Sequence, residues 1–117
     1  GAIGLPGDLS SQSRFVRAAF AMKNSVSGES EEESVGQFFH ILDSVKFIRG
    51  CCDLGGGIYD ITLYSSCCNA DKGIYYYTTY ENRSITAVDM FGEDLSSRKI
   101  VRFPMRQKQQ ITGVNLR

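Results

Sequence analysis

The hydrophobic period of the chain changes once, near residue 46, and this change restricts the fold more than any other feature. Before it, apolar residues recur every three or four positions, as they do on one face of a helix. After it, β-branched and aromatic residues gather in short runs between turn-forming residues. Helices first and strands afterwards predict the α+β class, with two helices covering one face of an antiparallel sheet.

The first helix is predicted to follow a loop at residues 1–9, with serines at 10, 11 and 13 as candidate N-caps, and to end at residues 22–24. Its apolar stripe contains Phe15, Ala19 and Met22. Arg14 and Arg17 share another flank, although a helix N-terminus already carries about half a positive charge. An anion, a thiolate or a developing oxyanion beside them would explain this placement. A salt bridge from Arg14 to Asp8 or to a neighbouring carboxylate is the alternative explanation.

The second helix is predicted to begin at Ser30, because Ser30 and Glu33 have the spacing of a capping box. His40, the single histidine, falls beside the apolar face and is interpreted as a surface residue rather than a catalytic base. The apolar face itself recurs at three- and four-residue spacing and consists of Val35, Phe38, Phe39, Leu42 and Val45.

The strands are predicted from alternation and from turn residues. Residues 46–50 could begin a strand, and the glycine-rich residues 53–57 form a hairpin connection. The connections between residues 58–66, 74–80 and 85–90 are too short for crossovers, so these runs predict an antiparallel meander. A last short strand at 99–103 ends at Pro104, and residues 105–117 form a mobile polar tail. Two helices cannot cover both faces of this sheet, which indicates that a covering segment is missing.

Composition excludes several classes of partner. The 117 residues include 13 basic and 13 acidic residues, so no net field attracts nucleic acid or an anionic membrane. No apolar run approaches the roughly 20 residues of a membrane-spanning helix. The tyrosines within 75–80 have no basic groove beside them, so they indicate sheet packing rather than base stacking.

The four cysteines occur as two adjacent pairs, Cys51–Cys52 and Cys67–Cys68. Zinc sites usually space paired cysteines by two to four residues, and adjacent cysteines in a strand point to opposite faces. We therefore expect no metal and no cofactor, and we favour free thiols packed as small apolar groups. A disulfide between the pairs would need an oxidising compartment.

Several stretches, in this order, resemble the choloylglycine hydrolase family, which contains conjugated bile acid hydrolases and penicillin V acylases. The first is Leu-Pro-Gly-Asp at 5–8 leading into Ser-Arg-Phe at 13–15. The others are Gln-Phe-Phe-His-Ile-Leu at 37–42, Tyr-Ser-Ser-Cys at 64–67, Lys-Gly-Ile-Tyr-Tyr-Tyr at 72–77 and Ile-Thr-Ala-Val at 85–88. The resemblance covers nearly all of residues 1–117, as the C-terminal segment of one domain. It implies part of a four-layer αββα sandwich of the N-terminal-nucleophile hydrolases.

The resemblance also implies the site. Arg14 matches an active-site arginine of the family. Residues 47–54 match a loop at the mouth of the substrate pocket, which implies that Phe47, Ile48 and Cys51 contact an apolar acyl group of the substrate. In the family an N-terminal cysteine attacks an amide carbonyl, with its own α-amino group as proton acceptor. That cysteine is not in this chain, so the chain alone is expected to be inactive. Its partner would be the remainder of the same enzyme.

Within this interpretation the substrate is a conjugated bile acid or another N-acyl amide. The Phe-Phe-His-Ile-Leu and Lys-Gly-Ile-Tyr-Tyr-Tyr stretches favour a bile acid amide over penicillin V. The resemblance further implies a bacterial cytoplasmic enzyme that assembles as a homo-oligomer, specifically a homotetramer. The competing hypothesis is a non-catalytic α+β module that binds a partner through its apolar sheet.

Overall fold

The computed structural model describes residues 1–116, which form two compact units, one of Gly1–Thr62 and one that begins at Leu63. The first unit contains two helices and a short hairpin, and the second contains a three-stranded antiparallel sheet. This order of elements confirms the α+β class predicted from the change in hydrophobic period.

Both helices begin at the predicted serine caps. Helix α1 spans Ser11–Asn24, and the Ser10 hydroxyl accepts a hydrogen bond from the Ser13 amide at 3.2 Å. Helix α2 spans Glu31–Asp43 and starts with the predicted capping box. The Glu33 amide donates to the Ser30 hydroxyl at 3.0 Å, and the Ser30 amide donates to the Glu33 carboxylate at 3.1 Å. The bonds from Ser30 hold the pKa of Glu33 below its usual value.

The predicted apolar face of α2 is correct in outline but wrong at Phe38. Phe39 is buried with 7% of its surface exposed, whereas Phe38 is 43% exposed. The two rings are nearly perpendicular, with a centroid distance of 6.4 Å, so the half-exposed Phe38 ring packs against Phe39. His40 is exposed, as its position beside the apolar face predicted.

The strand expected at residues 46–50 is absent, and residues 53–57, predicted to be only a connection, contain a strand and the turn of a short hairpin. Strand β1 spans Asp53–Gly55 and strand β2 spans Ile58–Tyr59. The connecting Gly56 and Gly57 have φ values of +62° and +76°, a left-handed pair that favours glycine in a two-residue hairpin turn. Residues 49–51 instead form a turn, in which the Cys51 amide donates to the Ile48 carbonyl at 3.0 Å.

The strand predicted over residues 58–66 is interrupted at residues 60–63. The Thr62 amide donates to the Phe47 carbonyl at 3.3 Å, and the Asp60 amide donates to the Cys52 carbonyl at 2.9 Å. These backbone groups are bonded to the preceding loop, and strand structure resumes only at Tyr64. Alternation along the sequence could not detect a partner 15 residues away.

The second unit contains the predicted meander. Strands β3 (Tyr64–Asn69), β4 (Ile74–Thr79) and β5 (Thr86–Asp89) are antiparallel in the order β3-β4-β5. Tyr64 pairs with Thr79, and Tyr77 pairs with Thr86. A single 3-10 turn follows at Met90–Gly92, where the Met90 amide donates to the Gly73 carbonyl at 2.9 Å.

The predicted strand at residues 99–103 is absent, and an irregular segment takes its place. This segment is anchored to the sheet further on, where the Arg106 amide donates to the Tyr77 hydroxyl at 2.9 Å. The Asn82 side-chain amide donates to the Arg106 carbonyl at 3.1 Å, and the Arg83 amide donates to the Gln109 side-chain oxygen at 2.8 Å. The first part of the predicted mobile tail is therefore held in place. Its last residue, Arg117, lies outside the described residues.

Two of the three side chains in the apolar stripe of α1 are exposed, and the third, Ala19, is half-buried. Phe15 is 74% exposed and Met22 is 64% exposed, while Ser13 on the other side of the helix is only 7% exposed. Within residues 1–116, the buried apolar side chains are Phe39 and Tyr77. Neither helix of the described chain has the length and apolar character needed to cross a membrane.

Candidate functional site

The loop before α1 is tied to the helix by Arg17. One of its terminal nitrogens donates to the carbonyls of Pro6 at 3.0 Å and Asp8 at 2.7 Å, and its Nε donates to the Ser44 carbonyl at 3.2 Å. A guanidinium donates from a rigid, planar fork, so these bonds fix the loop and the end of α2 against α1. Arg17 therefore has a structural role in the described chain.

Asp8 binds serines instead of Arg14. Its carboxylate accepts from the Ser10 amide at 2.8 Å and from the Ser13 hydroxyl at 2.6 Å. Hydrogen bonding by Ser10 and then by Ser13 lowers the pKa of Asp8 to about 2, with a smaller contribution from the charge of Arg17. The salt bridge from Arg14 to Asp8, considered as an alternative, does not form in the described residues.

Arg14 is half-buried and has two contacts. Its Nε donates to the Val45 carbonyl at 3.1 Å, and its guanidinium carbon lies 4.5 Å from the centroid of the Phe47 ring. The second contact is within the range of a cation–π interaction. Within residues 1–116 the terminal nitrogens of Arg14 have no hydrogen-bond partner. They are therefore available to an anion.

Both arginines of α1 bind carbonyls just beyond the end of α2. The last carbonyls of a helix have no partner within it and carry its partial negative charge. Arg17 binds the Ser44 carbonyl and Arg14 binds the Val45 carbonyl, directly after Asp43. The two helices are therefore joined at this point by cation-to-carbonyl bonds.

The backbone of Phe47 is hydrogen-bonded to Thr62. Its amide donates to the Thr62 hydroxyl at 2.9 Å, and its carbonyl accepts from the Thr62 amide at 3.3 Å. These two bonds hold the backbone of Phe47 on both sides, and the ring that it carries lies beside Arg14. Phe47 is half-buried, so part of its surface is accessible to solvent.

The structure brings two of the four predicted site residues together, Arg14 and Phe47. Ile48 and Cys51 lie on the turn that follows, where Ile48 is 62% exposed and Cys51 is also exposed. The sequence analysis missed Val45 and Thr62. Val45 contributes only its carbonyl, which every residue has, so no side-chain signal pointed to it. Thr62 fitted an alternating strand, and that pattern concealed its bonds to Phe47.

This arrangement suits the binding or stabilisation of negative charge. A guanidinium stays protonated at all relevant pH values, and its unoccupied N–H groups can bind a carboxylate, an oxyanion or a thiolate. No group of three or more histidine, cysteine or acidic side chains in residues 1–116 could hold a metal ion. All four cysteines are free thiols, two half-buried and two exposed, and burial raises the pKa of Cys67, with a further contribution from Cys68.

Two curated relatives match almost all of the chain. A bile salt hydrolase/transferase from Lactiplantibacillus plantarum is 51% identical over 115 residues, which make up 98% of this chain and 36% of that protein. A bile salt hydrolase/transferase from Clostridium perfringens is 39% identical over 98% of this chain and 35% of its own length. The chain thus spans about a third of the length of these relatives.

Two solved structures share the fold. A cysteine-to-alanine variant of conjugated bile acid hydrolase from Clostridium perfringens superposes with a TM-score of 0.84 at 40% identity, over 98% of this chain and 35% of that one. Penicillin V acylase from Agrobacterium tumefaciens superposes with a TM-score of 0.69 at 22% identity, over 85% of this chain and 31% of that one. The second likeness is one of fold alone.

The model of one protein family matches residues 1–103. That family is described as linear amide C-N hydrolases of the choloylglycine hydrolase family. Its match covers most of the chain and agrees with the relatives and with the folds. The resemblance predicted from the sequence motifs is therefore confirmed, and the chain belongs to the choloylglycine hydrolase family.

Proposed function

We propose that the complete protein containing this chain is a conjugated bile acid hydrolase. It cleaves the amide of a glycine- or taurine-conjugated bile acid and releases the bile acid and the amine. The observation that carries this proposal is the Arg14 guanidinium, which is held by the Val45 carbonyl and the Phe47 ring while its terminal nitrogens are left unoccupied. The 51% identity to a bile salt hydrolase/transferase supports the choice of substrate.

The proposed reaction needs a nucleophile from outside this chain. An N-terminal cysteine sulfur attacks the amide carbonyl, its proton passes to the α-amino group and then to the leaving amine, and a thioester forms. Water then hydrolyses the thioester and releases the bile acid and the free thiol. Arg14 would lie beside the cysteine and favour its thiolate by lowering the thiol pKa. Ile48 and Cys51, exposed on the turn after Phe47, would contact the apolar acyl group.

This chain would be the C-terminal part of the enzyme and inactive by itself. It would supply a helix layer and part of a sheet to a four-layer αββα sandwich, and the remainder of the enzyme would be its partner. The exposed Phe15 and Met22 of α1 support this arrangement. Large exposed apolar side chains on one helix face are typical of a surface that another layer covers.

The test is an assay of the complete protein with glycine- and taurine-conjugated cholate and with penicillin V. Release of glycine or taurine is measured, with phenoxyacetate release as the readout for penicillin V. Hydrolysis of the bile acid amides, with slower hydrolysis of penicillin V, is the expected result. Preference for penicillin V would replace the proposed substrate, and hydrolysis of neither amide would overturn the function. The isolated chain serves as the inactive control, and activity in it would contradict the need for an external cysteine.

We further infer that the enzyme acts in the bacterial cytoplasm as a homo-oligomer. Its curated relatives from Lactiplantibacillus and Clostridium are bacterial, and the four free thiols suit a reducing compartment. Light scattering on the complete protein measures the assembly, with a tetramer as the expected result and a monomer as the contradicting one. Cell fractionation tests the location.

A further inference from the structure

We propose that Phe47 is a positioning residue, whose ring holds the Arg14 guanidinium with its terminal nitrogens turned outward to the reacting groups. This inference rests on the proposed hydrolase function and assigns Phe47 a different role from that of an apolar contact for the substrate. It follows from the contacts of four residues in the first unit: Arg14, Val45, Phe47 and Thr62.

The first step is the restraint on Arg14. An arginine side chain has several rotatable bonds, and a single hydrogen bond would leave its guanidinium free to turn. Here the Nε bond to the Val45 carbonyl at 3.1 Å fixes one edge of the group, and the Phe47 ring, 4.5 Å from the guanidinium carbon, supports one of its faces. Together the two contacts fix the plane of the guanidinium, and only its terminal N–H groups remain unoccupied in the described residues.

The second step is the rigidity of the support. Both contacts of Arg14 come from a segment of three residues, Val45 to Phe47, that follows α2 directly. The Val45 amide donates to the Leu42 carbonyl at 3.1 Å, which fastens one end of the segment to the helix. The two bonds between Phe47 and Thr62 fasten its other end. The backbone that carries the ring is therefore held at both ends, which limits the positions that the ring can take beside Arg14.

The third step is the expected effect on the reaction. A cation–π contact of a half-buried arginine is a modest interaction, so removing the ring should misplace the guanidinium without unfolding the protein. A misplaced Arg14 would hold the cysteine thiolate less well, which raises the thiol pKa. The acid limb of the kcat/KM profile should then move to higher pH. A substrate contact would behave differently, because its loss raises KM and leaves that limb in place.

The experiment compares Phe47→Leu with Phe47→Tyr in the complete enzyme. Leucine keeps apolar bulk but has no ring, whereas tyrosine keeps the ring. We expect Phe47→Leu to lower kcat by about 3- to 30-fold with KM nearly unchanged and with the acid limb shifted upward. Phe47→Tyr should keep kcat and the position of the acid limb at their wild-type values. Phe38→Leu, which removes a half-exposed ring from α2 in the same unit, is the matched control and should retain the wild-type profile.

A second readout does not depend on activity. The Nε–H signal of Arg14 in the nuclear magnetic resonance spectrum of the wild-type protein should carry an upfield ring-current shift from Phe47, and Phe47→Leu should abolish it. Absence of that shift from the wild-type spectrum would overturn the inference, even if Phe47→Leu fails to fold. So would a rise in KM with an unchanged acid limb, which would make Phe47 a substrate contact. A complete wild-type protein without amidase activity would overturn the proposed function and the effect on pH, while the shift would still decide whether Phe47 holds Arg14.

Discussion

Helix α1 and strand β4 differ in the kind of side chain that the described chain buries. On α1 the polar side is engaged, with Ser13 only 7% exposed, while Phe15 is 74% exposed. On β4 the residues Tyr77, Thr78 and Thr79 are 8%, 5% and 2% exposed, so an aromatic ring and two β-branched side chains are buried. The second half of the central strand β4 is therefore buried, whereas α1 is fixed by hydrogen bonds and leaves Phe15 and Met22 of its apolar stripe exposed.

This difference shows that a regular apolar stripe does not identify the buried side of a helix in a chain that spans about a third of its relatives. The stripe of α1 satisfies the helical period, yet the bonds of Arg14 and Arg17 to the Val45 and Ser44 carbonyls define which side meets α2. Polar contacts of this kind orient the side chains of the candidate site. They contribute less to the free energy of unfolding than buried apolar area does.

The largest effect on stability is expected at Phe39, the buried ring of the helical unit. Replacing Phe39 with alanine leaves a cavity, and we expect a loss of ~3–5 kcal/mol in the free energy of unfolding. Phe38→Ala is the matched variant, and its half-exposed ring should cost only about 1 kcal/mol. Urea denaturation of the complete protein measures both. Equal losses would show that the two rings do not differ in burial and would remove the contrast drawn between them.

The next largest effect is on turnover at Arg14. Arg14→Ala in the complete enzyme removes the charge that we propose lies beside the nucleophile, and we expect kcat to fall by about 10²- to 10³-fold with the fold retained. Arg83→Ala is the control, because the side chain of Arg83 is exposed and its bond to Gln109 uses the backbone amide. Steady-state kinetics and circular dichroism measure the two properties. Wild-type turnover in a folded Arg14→Ala enzyme would rule out the catalytic role.

Local chemistry made the helices, their serine caps and the meander predictable from the sequence. The capping box at Ser30 and Glu33 and the glycine pair at residues 56–57 are complete within a few residues, so pattern alone identified them. Arg14 was identified through the family motif. Its partners lie 31 and 33 residues further along the chain, at Val45 and Phe47, and no local pattern connects them. The interruption at Thr62 was missed for the same reason.

A smaller effect is expected at Tyr77, where the sheet unit holds its C-terminal segment. The Tyr77 hydroxyl accepts from the Arg106 amide at 2.9 Å, and Tyr77→Phe removes this acceptor while the ring remains. We expect a loss of about 1 kcal/mol and faster hydrogen exchange at the Arg106 amide. Tyr75→Phe, on the neighbouring ring 6.1 Å away, is the control. Unchanged exchange at the Arg106 amide in Tyr77→Phe would show that other contacts hold the segment. The Tyr77 hydroxyl would then contribute little to the stability of the sheet unit.

The smallest effect concerns the stability of the loop before α1 at low pH. The pKa of Asp8 is lowered from 3.8 to about 2 by Ser10 and Ser13, so the ionised carboxylate favours the folded loop. Because the folded pKa lies below the unfolded one, this contribution is present above pH 3.8 and is lost as the pH falls towards 2. The Ser10 amide signal should therefore titrate with a midpoint near pH 2, and Asp8→Asn should abolish that titration. A midpoint near 3.8 would show that the serines do not hold the carboxylate in solution. The first turn of α1 would then be held less firmly than the hydrogen bonds of Asp8 indicate.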